Sequence, residues 1–172
     1  MKIGVFSDTH DKLENITKIV QKFIAEKVEK IVHCGDYCAP FVVRAMKDIK
    51  GQNIECIGVY GNNDGEREGL IKVLGEVLSI KGDFYEMEWD GVKIALFHGT
   101  NSKLLENIID SNHYQLVLCG HTHQLRVEER HNVVIVNPGE ACGYLTGKAS
   151  YAIIDLGKKP LTKDSIKIEY LS

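Results

Sequence analysis

Five short apolar runs in this sequence each stop at a turn that carries a side chain able to hold a metal ion. Residues 3–6 lead into Ser7-Asp8-Thr9-His10, and Ile31-Val32 is closed by Gly35-Asp36. Residues 54–60 end at Gly61-Asn62, residues 92–97 at His98-Gly99, and residues 116–118 at Cys119-Gly120-His121-Thr122-His123. Ligands of open α/β sheets bind in the crevice beyond the carboxyl ends of the strands. Parallel packing of these runs therefore brings seven donors to one crevice: Asp8, His10, Asp36, Asn62, His98, His121 and His123.

The segments between the runs suit that packing. Asp11-x-x-Glu14 has the form of a capping box, and Leu13, Ile16, Ile19, Val20, Phe23 and Ile24 recur at helical spacing. Pro40 suits the first turn of a short helix through Met46. Residues 66–78 read as a helix weakened by Gly69 and Gly75. Alternation of strand and helix argues for parallel pairing with helical crossovers. After Gly82 the pattern changes: residues 84–89 and 92–97 flank Asp90-Gly91, a hairpin signal. Ser102 is placed to cap a helix through Leu105, Ile108 and Ile109. Residues 124–128, 133–136, 151–155 and 166–171 read as antiparallel strands. With no repeat or linker in view, residues 1–172 are expected to form one α/β domain with two packed sheets.

The donor set mixes carboxylate, amide and imidazole and contains no thiolate, which excludes a cysteine-based structural zinc site. Imidazole also argues against Mg²⁺ or Ca²⁺ and favours manganese, iron, cobalt, nickel or zinc. Seven donors exceed the three of a typical catalytic zinc; with one carboxylate bridging, they suit two ions. The five cysteines (Cys34, Cys38, Cys56, Cys119 and Cys142) form no paired framework and read as buried free thiols. His33 reads as a core or supporting histidine, Arg67 as a solvated helix residue, and Asp64 as either a ligand-orienting or a turn-stabilising group. A net charge of −3 gives no strong nucleic-acid signature. No apolar run approaches the ~20 residues of a membrane span, and the start shows no leader pattern, so a cytoplasmic location is expected.

Asp8-x-His10, Gly35-Asp36, Gly61-Asn62, His98 and Gly120-His121-x-His123, in this order, resemble the calcineurin-like metallophosphoesterases. Gly61-Asn62-x-Asp64 and Ser150 to Asp155 are similar to the small YfcE-type phosphodiesterases, and the resemblance runs from Met1 to about Asp155. It implies a two-sheet β-sandwich flanked by helices, a four-layer αββα fold. By the same resemblance Asp8, His10 and His123 hold one divalent transition-metal ion, Asn62, His98 and His121 hold a second, and Asp36 bridges them. Manganese is favoured over nickel, iron, cobalt or zinc. The implied reaction is hydrolysis of a small phosphodiester by direct attack of a hydroxide shared between the ions, with Asp36 and Asn63 as the catalytic residues. Two positions depart from the family pattern: Asn63 stands where a histidine is common, and Asn137-Pro138-Gly139-Glu140 replaces Asn-Pro-Gly-Ser. A non-enzymatic scaffold of the same fold and a nuclease of the same superfamily are the alternatives. The first is disfavoured by the full donor set, the second by the lack of a basic groove or a further domain. A homo-oligomer is left open.

Overall fold

The computed structural model describes residues 1–171. In chain order the strands and α-helices are β1 (Lys2–Phe6), α1 (Leu13–Ala25), β2 (Lys30–His33), α2 (Val43–Met46), β3 (Glu55–Gly58), α3 (Arg67–Leu74), β4 (Ser79–Ile80) and β5 (Phe84–Trp89). They continue with β6 (Val92–Phe97), α4 (Ser102–Asp110), β7 (Leu116–Leu118), β8 (Leu125–Arg130), β9 (Val133–Pro138), β10 (Ser150–Asp155) and β11 (Ile166–Tyr170). One sheet has the order β11-β10-β1-β2-β3-β4 and the other β5-β6-β7-β9-β8. Within them β1, β2, β3 and β4 run parallel, as do β6, β7 and β9.

Side-chain alternation along the strands builds four layers, an α/β sandwich of two sheets with helices outside each. Ile3 and Val5 of β1 pack between the sheets with Val32, Ile57, Ile94, Leu96, Leu116, Leu118 and Val136. Phe6 points the other way, into a core shared with Ile16, Ile19, Val20 and Phe23 of α1. On the far side Ala95, Val117 and Ile135 meet Leu105 and Ile109 of α4. The carboxyl ends of β1, β2 and β3 in one sheet, and of β6 and β7 in the other, lead into the donor-bearing turns.

Several local expectations are corrected. Asp11 does not cap α1; its carboxylate accepts from the Ala39 N–H at 3.0 Å, because its own backbone is left-handed at φ 56°. The α4 cap is Asn101, whose side chain accepts from Leu104 N, so Ser102 is already inside the helix. The third helix is Arg67–Leu74, shorter than expected because Gly75 takes the C-cap. The segment after Pro40 is a chain of short turns, with 3₁₀ helices at Pro40–Val42 and Lys47–Ile49 around α2. The later strands are not uniformly antiparallel: β9 pairs parallel with β7, and β10 returns to the first sheet beside β1. Cys38 is only half-buried, unlike the other four cysteines. No helix among the described residues is long and apolar enough to cross a membrane.

Phe23 is fully buried and meets Phe6 and Tyr151 edge-on, at centroid distances of 5.7 and 5.3 Å. Phe23→Ala is expected to lower stability by about 3–5 kcal/mol, read as a shift in the urea unfolding midpoint.

Candidate metal centre

The loops that follow β1 and β2 are stitched together through backbone hydrogen bonds. Asp8 N donates to Gly35 O at 3.0 Å, Thr9 N to Asp36 O at 3.0 Å and His10 N to Asp36 O at 3.2 Å. Asp64 braces the same region: its buried carboxylate accepts from the N–H groups of Gly61 (2.7 Å), Asp36 (3.0 Å) and Cys38 (2.9 Å). Asp64 is therefore a turn-stabilising group here. The loop after β7 is tied in through His121 N, which donates to Asp8 Oδ2 at 3.1 Å.

Five of the seven predicted donors converge tightly. His10 Nε2 and His98 Nε2 lie 3.5 and 3.4 Å from Asp36 Oδ2. His123 Nε2 lies 3.5 Å from Asp8 Oδ1 and 3.2 Å from His10 Nε2. Asp8, His10, Asp36 and His123 each offer one ligand atom, and these atoms all lie within 4.8 Å of one another. The other two donors stand at the margin. The His121 ring lies 5.3 Å from that of His98, and the Asn62 amide oxygen accepts from Thr100 Oγ1 at 3.3 Å. Asn62 and His98 line a cavity of about 370 Å³ with Tyr60, Arg67 and Leu104.

A cation fits this arrangement. Asp8 Oδ1 and His98 Nε2 are buried and have no hydrogen-bond partner among the described residues. Buried polar groups ordinarily find partners, and an unpaired buried carboxylate is costly. His98 Nδ1 faces the Cys34 carbonyl at 2.8 Å; a carbonyl only accepts, so Nδ1 carries the proton and Nε2 presents its lone pair to the cluster. Burial pushes the Asp8 pKa up, with His98 and His123 offsetting only part of the effect. Burial opposes ionisation of Asp36 too, but His98 and then Asn63 outweigh it and hold that carboxyl well below the ordinary range. Burial would lower the His98 pKa, yet Asp36 and Asp8 raise it on balance. Both carboxylates thus draw positive charge inward. The backbone is also strained here: Asp8, His10, Asp36, His121 and His123 take left-handed φ values of 53°, 40°, 61°, 70° and 61°. Such conformations cluster at functional sites.

Asn63 is turned onto Asp36, with its N–H donating to Oδ1 at 2.8 Å and its amide to Oδ2 at 2.7 Å. Arg67 stacks on Tyr60 and pairs with Asp83 at 2.7 Å on the exposed side of α3. His33 is a buried supporting histidine, bonded through Nε2 to Thr9 Oγ1 at 3.1 Å. Two contacts to the site histidines were not legible as such in the sequence. Glu140 meets His123 Nδ1 at 2.6 Å, and Cys38 Sγ meets His10 Nδ1 at 3.3 Å. The departure from the family pattern was the sequence signal for Glu140, and the spacing of Cys38 from Cys34 was the signal for Cys38. Burial would raise the Glu140 pKa, but His123 and then Thr146 outweigh it and hold it at about 2, against 4.5 for a free glutamate.

A sequence profile described as the calcineurin-like phosphoesterase superfamily domain matches residues 1–159. Phosphodiesterase MJ0936 of Methanocaldococcus jannaschii is 44% identical over 161 residues, covering 92% of this chain and 95% of that one. A solved structure described as a novel archaeal phosphodiesterase is 41% identical with a TM-score of 0.88, covering 99% of this chain and 100% of that one. YfcE, a phosphoesterase from E. coli, shares the fold at 21% identity and a TM-score of 0.69, covering 91% and 89% of the two chains.

A Cβ on Gly61 would stand 2.1 Å from Asp36 Oδ1 and 2.5 Å from Asp36 N. Gly61→Ala is therefore expected to weaken divalent-metal binding by about 10–100-fold, measured by calorimetric titration. A depressed carboxyl pKa contributes stability that is complete above the unfolded value and is lost as pH falls through the folded one. In the metal-free protein, the stability advantage over Glu140→Gln should shrink as pH falls from about 4.5 towards about 2, read by urea unfolding across that window.

Proposed function

The chain belongs to the calcineurin-like phosphoesterase superfamily, and from that premise we propose that it is a phosphodiesterase that works with two divalent metal ions. Asp8, His10 and His123 would hold one ion, Asn62, His98 and His121 the other, and Asp36 both. The observation that carries this reading is that Asp8 Oδ1 and His98 Nε2, two of four buried side-chain atoms with no hydrogen-bond partner among the described residues, are set around the Asp36 carboxylate. Mixed oxygen and nitrogen donors favour manganese, with nickel, iron, cobalt and zinc as alternatives. When bound, such a pair of ions supplies Lewis acidity towards phosphoryl oxygens and makes water nucleophilic near neutral pH.

The chain's own residues set the limits of the reaction. Asn63 is committed to Asp36 through both its backbone and its side chain, so its role is to position that carboxylate rather than to touch phosphate. An amide also has no acidic proton to give a departing oxygen. General acid assistance is typically worth about 10²–10⁴-fold, and its absence favours esters whose leaving group needs no proton. A small diester of an acidic alcohol is the substrate class that follows. The scaffold alternative is disfavoured because all seven donor positions are occupied by metal-competent residues. The nuclease alternative lacks support from net charge.

The test compares an activated aryl diester with the matching alkyl monoester, using manganese-loaded protein. The diester is expected to turn over faster by about 10²-fold or more, and Asp36→Ala should fall to the metal-free background while keeping its circular dichroism spectrum. Faster monoester turnover, or an active Asp36→Ala variant, contradicts the reading.

A further inference from the structure

Glu140 is a fully buried carboxylate surrounded by donors. Its Oε1 accepts from Leu145 N (2.9 Å), from Thr146 N and from Thr146 Oγ1 (2.8 Å). Its Oε2 faces His123 Nδ1 (2.6 Å), Leu145 N (3.1 Å) and the Cys142 thiol (3.3 Å). An ionised carboxylate accepts and cannot donate. The short contact therefore requires the hydrogen of His123 on Nδ1 and leaves Nε2 with its lone pair, aimed at the space it shares with Asp8 Oδ1 and His10 Nε2.

The same carboxylate holds a loop. Gly143 and Gly147 (φ 71° and 75°) turn the chain out and back, and Tyr144 and Leu145 are left 58% and 74% exposed. Little of the order in this loop comes from burial; its amides are pinned by Glu140. Tyr144 lies over Lys12, with Nζ 5.4 Å from the ring centroid, and Lys12 is two residues past His10. The loop thus borders the metal centre.

We propose that Glu140 is a positioning residue that fixes His123 in its metal-accepting tautomer and, through the same carboxylate, couples the order of the 143–147 loop to metal occupancy. This rests on the metal-binding reading of the site. Coupling between two events is reciprocal: an ion that immobilises the imidazole also immobilises Glu140 and the amides it holds, and a severed loop tether weakens the ion's grip. Glutamine cannot substitute, because its –NH₂ would face a donor in whichever orientation it took. Partners of metal-bound histidines are typically worth about 10–100-fold in affinity.

The experiment titrates Zn²⁺ alone into wild type, Glu140→Gln and Thr146→Val, the last of which removes one tether and leaves the His123 contact in place. Calorimetry gives the affinities, amide hydrogen exchange follows residues 144–146, and imidazole ¹⁵N spectra report the His123 tautomer in the metal-free proteins. Expected results are about 10–100-fold weaker Zn²⁺ binding by Glu140→Gln, an Nδ1–H signature in wild type that the variant loses, and exchange at Leu145 and Thr146 that Zn²⁺ slows in wild type but slows less in Thr146→Val. If Glu140→Gln fails to fold, the exchange and affinity of Thr146→Val decide alone. Wild-type exchange unmoved by bound Zn²⁺, or a folded Glu140→Gln with wild-type affinity and tautomer, overturns the proposal. A wild-type protein that binds no Zn²⁺ overturns the metal reading itself, and the proposal with it.

Discussion

Two carboxylates almost wholly withdrawn from water, Asp8 and Asp36, stand at the ends of adjacent parallel strands with three imidazole nitrogens within 4.0 Å of one or both. A buried charge is tolerated only when it is paired. Here each carboxylate spends part of its capacity on the chain: Asp8 Oδ2 takes the His121 N–H, and Asp36 takes two bonds from Asn63. Asp8 Oδ1 and the Asp36 Oδ2 edge that faces the histidines are left pointing into the cluster. Around this cluster Asp8, His10, Asp36, His121 and His123 all hold left-handed backbone conformations.

The two sheets matter because neither alone could close this arrangement. Asp8, His10 and Asp36 come from turns of the first sheet, and His98, His121 and His123 from turns of the second. The apolar layer between them, built from Val5, Val32, Leu96 and Leu118 immediately before those turns, sets their separation. Close packing resists small displacements, so the donors are presented by a rigid base although each sits on a loop. Gly120 shows how tight the junction is: a Cβ there would stand 2.0 Å from Ser7 Oγ and 2.7 Å from Asp8 Oδ2.

Much of this was legible in the sequence wherever one residue type has a single physical use. Asp90-Gly91 between alternating runs fixed the β5–β6 hairpin, and the spacing of Ile16, Ile19, Val20 and Phe23 fixed the buried face of α1. Asp8, His10, Asp36, His98 and His123 meet because β1 and β2, and β6 and β7, are parallel neighbours whose carboxyl ends share one edge. Residues with several uses were harder to read. Asp11 had the pattern of a cap and instead bonds the Ala39 amide across the site. Asn63, named catalytic through the resemblance, donates both its backbone N–H and its amide to Asp36. The two-residue strand β4 is too short to show a period; it pairs parallel with the edge of β3. The roles of Glu140 and Cys38 depend on contacts across the fold with His123 and His10, and no local spacing encodes them.

In the proposed dinuclear reading, Asp36 is shared by two ions. That sharing is tested most directly by anomalous diffraction from crystals of the protein grown with Mn²⁺. The account predicts two anomalous peaks, both in contact with the Asp36 carboxylate, one also touching His10 and His123 and the other His98. A single peak at Asp36, or manganese bound only elsewhere on the molecule, would contradict it.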